Sequence, residues 1–138
     1  MSDEGRRVSG LRMQLLEQHP FWGYLLMQVE LIADAKLDAI AATDGHRRVW
    51  YNPERTVALS REELGFVLAH EVGHHVQASF ERERGRNRHL WNCATDYAIN
   101  RVVAAINKPG TGTPMYTAPP GILLNKKYDG LIAEAIYE

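Results

Sequence analysis

His70, Glu71 and His74 stand in the order His-Glu-Val-Gly-His, with His75 directly after. On a helix, residues four apart lie one above the other with Cβ atoms about 6 Å apart. Two imidazoles so placed can converge on one tetrahedral metal ion. Glu71 is turned about 100° from His70, which sets its carboxylate beside that ion and within reach of a proton on a zinc-bound water. The pattern H-E-x-x-H therefore points to hydrolysis with Zn2+ as cofactor and Glu71 as general base. Its apolar flanks, Val67-Leu68-Ala69 and Val72, predict a packed helix. Burying two histidines and a glutamate there without a partner is unfavourable, and a metal removes the penalty. Gly73 is poor for a helix interior, so it calls for a packing or substrate-clearance reason.

Two histidines leave a catalytic zinc one protein ligand short, because such a site takes three and keeps one position open. Asn92, Asp96 and Asn100 share one face of a later predicted helix, and Asp96 follows His74 by 22 residues. That distance lets a connector fold back and bring the second helix alongside the first. A carboxylate is a better zinc ligand than an amide. Asp96 is the expected third ligand, with Asn92 and Asn100 behind the ligands. His89 is the alternative, and His75 and Cys93 are weaker ones.

The elements around these residues follow from punctuation and periodicity. Ser60-Arg-Glu-Glu63 is a capping box, and a helix is expected from Arg61 to about Phe80. A charged connector, Glu81 to His89, leads to a helix from about Leu90 to Asn107, ended by Pro109-Gly110. A Gly/Pro-rich loop over 110–121 and a short helix over 130–137 complete the chain. Upstream, Leu11, Leu15 and Leu16 mark a helix between Ser9 and Gln18. Pro20 opens a second helix, expected to reach Ala35. Leu37 to Thr43 and Arg47 to Asn52 flank Asp44-Gly45-His46, a hairpin signal, with Val49 and Tyr51 on one face. Thr56 to Leu59 is a candidate third strand. The expected fold is α+β: residues 1–138 as a single domain, helices packed on a short two- to three-stranded β-hairpin sheet.

Composition narrows the function classes. The 138 residues carry 16 Lys+Arg against 17 Asp+Glu, a net charge of −1, so nothing predicts a nucleic-acid partner or an anionic membrane surface. One cysteine excludes an internal disulfide scaffold. Phe21 to Ala35, the most apolar stretch, is broken by Gln28 and Glu30 and is too short and polar to span a bilayer. The N-terminus lacks a signal-peptide core, and a cytoplasmic setting is expected. Arg82, Arg84, Arg86 and Arg88 alternate with Glu81 and Glu83, which reads as a solvated loop before it reads as a docking patch.

Blocks along nearly the whole chain carry a family resemblance. They are His19-Pro20-Phe21, Thr43-Asp44-Gly45, Tyr51-Asn52-Pro53, Leu68 to His74, Trp91-Asn92-Cys93-Ala94-Thr95-Asp96-Tyr97-Ala98-Ile99-Asn100, and Tyr128-Asp129-Gly130 with Ala133 to Tyr137. The sequence resembles a bacterial and phage zinc metallopeptidase domain family whose larger members continue into a von Willebrand factor A-like region. The resemblance implies a zincin fold, His70, His74 and Asp96 as ligands, Glu71 as base, and a peptide or protein substrate.

An extended substrate could pair with a hairpin strand, Leu37 to Thr43 or Arg47 to Tyr51, by β-augmentation. Tyr97, Tyr116, Tyr128 and His75 are the candidate oxyanion donors; any one tyrosine, Tyr116 included, reads first as a surface residue. The competing class is a zinc-stabilised binding or assembly module without turnover. A metal-free helical scaffold is the third.

Overall fold

The computed structural model describes residues 2–44, 46–76, 82–128 and 131–138. Two antiparallel-running helices start the chain. Ser2 caps α1 (Asp3–Gln18) by accepting the Gly5 amide at 3.0 Å, with Asp3 and Glu4 favourably placed in the first turn. Pro20 opens α2 (Pro20–Met27), where its missing N–H loses nothing. Gly23 of α2 lies against the Leu16 backbone with no room for a Cβ, so α1 and α2 pack closely.

The expected helix from Pro20 to Ala35 ends early. Residues Glu30–Ala33 are a strand, β1, which pairs in parallel with β3 (Arg48–Tyr51); β2 (Ala41–Thr43) pairs with the other side of β3, antiparallel. The order is β1-β3-β2. A short apolar run has no period that separates strand from helix, and tertiary pairing decides it here. Arg12 of α1 helps to fix the break, donating to the Leu26 and Val29 carbonyls at 3.2 Å each. The hairpin forms with a shorter first strand than Leu37 to Thr43. Asp44 Oδ1 accepts the amides of His46, Arg47 and Arg48, which closes the turn beneath the ladder bond from the Asp44 amide to the Arg48 carbonyl at 3.2 Å; Gly45 lies outside the described residues. Val49 and Tyr51 are buried and Arg48 is exposed, as alternation requires.

The candidate strand Thr56 to Leu59 is not one. Asn52 caps a single helical turn, α3 (Pro53–Thr56), and its amide donates to the Leu37 carbonyl at 2.9 Å. The sheet's third strand is β1 instead. The capping box closes as drawn: the Glu63 amide donates to Ser60 Oγ at 3.1 Å and the Ser60 amide to Glu63 Oε1 at 2.9 Å. It starts α4 (Arg61–Val76); residues 77–81, where its predicted end falls, lie outside the described residues. Asn87 caps α5 (Arg88–Ala104), and α6 (Ala133–Tyr137) is shorter than the 130–137 expected, Gly130 being outside the described residues.

The main core joins Leu15, Trp22, Leu26, Val49, Phe66, Val72, Ile99 and Val103, so α4 lies between the sheet, the first two helices and α5. A second cluster, Val8, Leu11, Tyr51, Leu64 and Leu68, seals α1 onto α4. Among the described residues no helix is long and apolar enough to cross a membrane.

Gly73 has a packing reason. A Cβ there would collide with Ile99 Cγ2 of α5, and Ile99 is fully buried with nowhere to move. Gly73→Ala gains about 1 kcal/mol of helix propensity but overpacks at a typical 1–3 kcal/mol. Urea unfolding is expected to show a net loss of about 1 kcal/mol; an unchanged or higher midpoint would mean that α4 and α5 can separate freely at this point.

Candidate metal centre

Close passage of α4 and α5 at Gly73 and Ile99 brings two helix faces together. From α4 come His70 and His74, with ring centroids 4.9 Å apart and planes at 90°. From α5 comes Asp96, whose Oδ1 lies 3.3 Å from His70 Nε2 and 3.5 Å from His74 Nε2. One donor atom from each residue falls within 4.8 Å of the others. Two imidazoles and a carboxylate are a donor set that a zinc ion accepts.

The group behind them fits this use. Asn100 is fully buried, and its Nδ2 donates to the Leu123 carbonyl at 2.9 Å. A carbonyl only accepts, so the amide orientation is fixed. Asn100 Oδ1 then faces His70 Nδ1 at 2.6 Å and must receive its proton. With Nδ1–H held by Asn100, Nε2 is the His70 nitrogen turned toward Asp96 and His74, and the one that would bind a metal once its proton is released.

Electrostatics agree with the geometry. Burial pushes the Asp96 carboxyl up, but the hydrogen bonds and charge of His70 and His74 outweigh it and hold the group down at about 2. Burial pushes the His70 imidazole down, yet Asp96, Glu71 and Asn100 together raise it. Glu71 is 7% exposed, and burial raises its carboxyl despite the opposing charge of both histidines.

These residues floor a cleft of about 230 Å³ with Ala42, Thr43 and Asn92 on its walls. β2 is thus the sheet edge beside the cleft. Ile40 and Asp44 bond to Asn52 and Arg48 across the ladder, so strand alternation points the N–H and C=O groups of Ala41 and Thr43 away from β3. His75 ties α4 to this edge: its Nε2 lies 2.9 Å from Thr43 Oγ1, which donates to the Arg48 carbonyl at 2.8 Å. Burial lowers the His75 pKa.

A family model described as "Putative metallopeptidase domain" matches residues 5–138. The chain belongs to this metallopeptidase domain family. No curated protein and no solved structure matches it.

Within the metallopeptidase domain the other candidate residues are set elsewhere. His89 is exposed and lies 4.0 Å from Cys93 Sγ, outside the His70, His74 and Asp96 group. Asn92 lines the cleft and, unlike Asn100, has no hydrogen bond to His70, His74 or Asp96 among the described residues. Tyr97 and Tyr128 lie 4.7 Å apart with their ring planes tilted by 54°, in a separate hollow with Cys93. Tyr116 is no surface residue: it is 7% exposed, its ring fills the space left by Gly65, and burial pushes its phenol up to about 12 against the charge of Arg61. The arginine run is partly structural. Arg82 pairs with Glu134 of α6, and the Arg86 guanidinium lies 5.0 Å over Trp91. Neither the Thr43–His75 link nor the burial of Tyr116 had a signal in the sequence, because both join segments far apart along the chain.

Asn100→Ala removes the acceptor for His70 Nδ1–H. Metal affinity is expected to fall about 10- to 100-fold with the helical circular dichroism unchanged, measured by competition with a chromophoric chelator. Unchanged affinity would release Asn100 from this role.

Proposed function

We propose that residues 1–138 form one zincin-like unit that hydrolyses peptide bonds with zinc held by His70, His74 and Asp96. The convergence of those three donor atoms beside the buried Glu71, in a cleft next to the β2 edge of the sheet, is the observation that carries this reading. Zinc, when bound, supplies Lewis acidity toward a carbonyl oxygen and lowers the pKa of water. Glu71 accepts the proton of the attacking water on its carboxylate and returns it to the leaving amine; its burial keeps the carboxylate basic. The backbone groups of Ala41 and Thr43 hold an extended substrate by strand addition. Of the two hairpin strands only β2 is available for this, since β3 is paired on both sides. His75 and Asn92 are the polar side chains beside the cleft from which an oxyanion donor would come. The partner is a peptide or protein, with no nucleic acid and no membrane, and the setting is cytoplasmic.

The test is elemental mass spectrometry of the purified chain, followed by cleavage of a mixed peptide library before and after chelation and zinc restoration. About one zinc per chain with chelator-sensitive cleavage is expected. No zinc after reconstitution at neutral pH would overturn the reading. Stoichiometric zinc without cleavage would favour a zinc-stabilised assembly module.

A further inference from the structure

On the side of α4 opposite its C-terminal half, a second hollow of about 280 Å³ opens between α1, the first turn of α4 and the segment after α5. None of its lining residues belongs to the metal centre. Leu11 and Met115, 2% and 5% exposed, give its floor a small apolar strip within a lining that is otherwise mostly polar. Tyr116 closes one wall. Tyr116 is 7% exposed, its ring is locked in the notch at Gly65, and its hydroxyl makes no hydrogen bond among the described residues.

Two cations stand over this floor. Arg61 Nη2 donates to Gln14 Oε1 at 3.1 Å, a neutral partner that orients the guanidinium and leaves its charge uncompensated. Lys108 is placed by a tight turn in which its amide donates to the Thr113 carbonyl at 2.9 Å and its carbonyl accepts the Thr111 amide at 3.1 Å. Neither Arg61 nor Lys108 forms an ion pair among the described residues. Glu62 is the one carboxylate at the rim. Two cations and one carboxylate leave a single net positive charge. That balance suits one negative charge and works against a dianion, which Glu62 would repel.

We propose that this hollow binds a small organic monoanion, a carboxylate on a short apolar chain. The carboxylate sits between Arg61 and Lys108 and accepts the Tyr116 hydroxyl proton, and the chain lies on Leu11 and Met115. A guanidinium and a hydroxyl are good carboxylate donors, and the volume is at the small end of ligand pockets. This site is separate from the metal centre and stands or falls independently of the peptidase reading.

The test is titration of the isotope-labelled chain with 4-methylpentanoate, read from the amide shifts of Leu11, Gly65 and Tyr116. 4-Methylpentan-1-ol and inorganic phosphate serve as the neutral and dianionic comparisons. Saturable shifts are expected, with both comparison compounds binding about tenfold or more weakly. Tyr116→Phe keeps the ring in its notch and is expected to weaken binding about fivefold. The exposed pair Arg61→Gln/Lys108→Gln, which leaves the core intact, should weaken it at least about tenfold. Absence of saturation by about 20 mM, equal binding of the alcohol or of phosphate, or undiminished binding by the double variant would each overturn the proposal.

Discussion

Glu71→Gln is expected to keep about one zinc per chain while peptide hydrolysis falls by about 10²- to 10⁴-fold, the usual contribution of a positioned general base. Glutamine matches glutamate in shape, so the packed turn of α4 is undisturbed, and His70, His74 and Asp96 all remain. What is lost is the atom that takes the proton. The same substitution should not destabilise the metal-free chain. Glu71 is 7% exposed, and burial raises its carboxyl. A carboxyl whose folded pKa is raised favours unfolding once pH exceeds its unfolded value. Glutamine removes that penalty, so the melting temperature at neutral pH should be equal or higher. Activity lost at a gain in stability is the mark of a functional carboxylate. Hydrolysis at the parental rate in the variant would remove Glu71 from the base role, whereas loss of zinc would mean that it supports the ligands instead.

Much of the frame around this site was legible because its signals are local. The capping box at Ser60 and Glu63 fixes where α4 begins, and with it the face that His70 and His74 share. The poor helix residue Gly73 announced a close approach, which proves to be that of Ile99. Spacing placed Asn92, Asp96 and Asn100 on one face of α5. It did not separate their surroundings: Asn100 is buried against His70, while Asn92 is exposed at the cleft mouth. That difference depends on how deeply α5 is set against α4. Non-local pairing was the weak point. Val29 to Ala33 suits a helix and a strand equally, and only β3, fifteen or more residues on, makes it a strand. Tyr116 sits in a Gly/Pro-rich loop that reads as surface, yet Gly65 on a distant helix offers it a slot. Both errors have one cause: composition within a window does not reveal which partner the window will meet.

Asp96→Ala should abolish tight metal binding. Two imidazoles alone hold zinc weakly, and even residues that merely support a ligand lower affinity 10- to 100-fold when removed, so a loss of more than about 100-fold is expected for a direct ligand. Linkage turns this into a thermal measurement. With free zinc well above the parental dissociation constant, a 100-fold loss of affinity removes about 2.7 kcal/mol of metal-dependent stability. For a chain of this size that is a fall of roughly 10 °C in the zinc-induced rise of melting temperature. Metal-free melting separates this from a folding defect, since Asp96 is a third exposed and its truncation leaves no large cavity. Asp96→Glu should recover part of the zinc response, because the carboxylate is kept and displaced by one methylene. A full zinc response in the alanine variant would require another third ligand. His89 is the sequence's other offer, but it is exposed beside Cys93, two turns and about 10 Å of helix rise before Asp96. To reach His70 and His74 it would have to break the cap at Asn87, which accepts the Leu90 amide at 3.0 Å, so the same variant would then show a shortened α5.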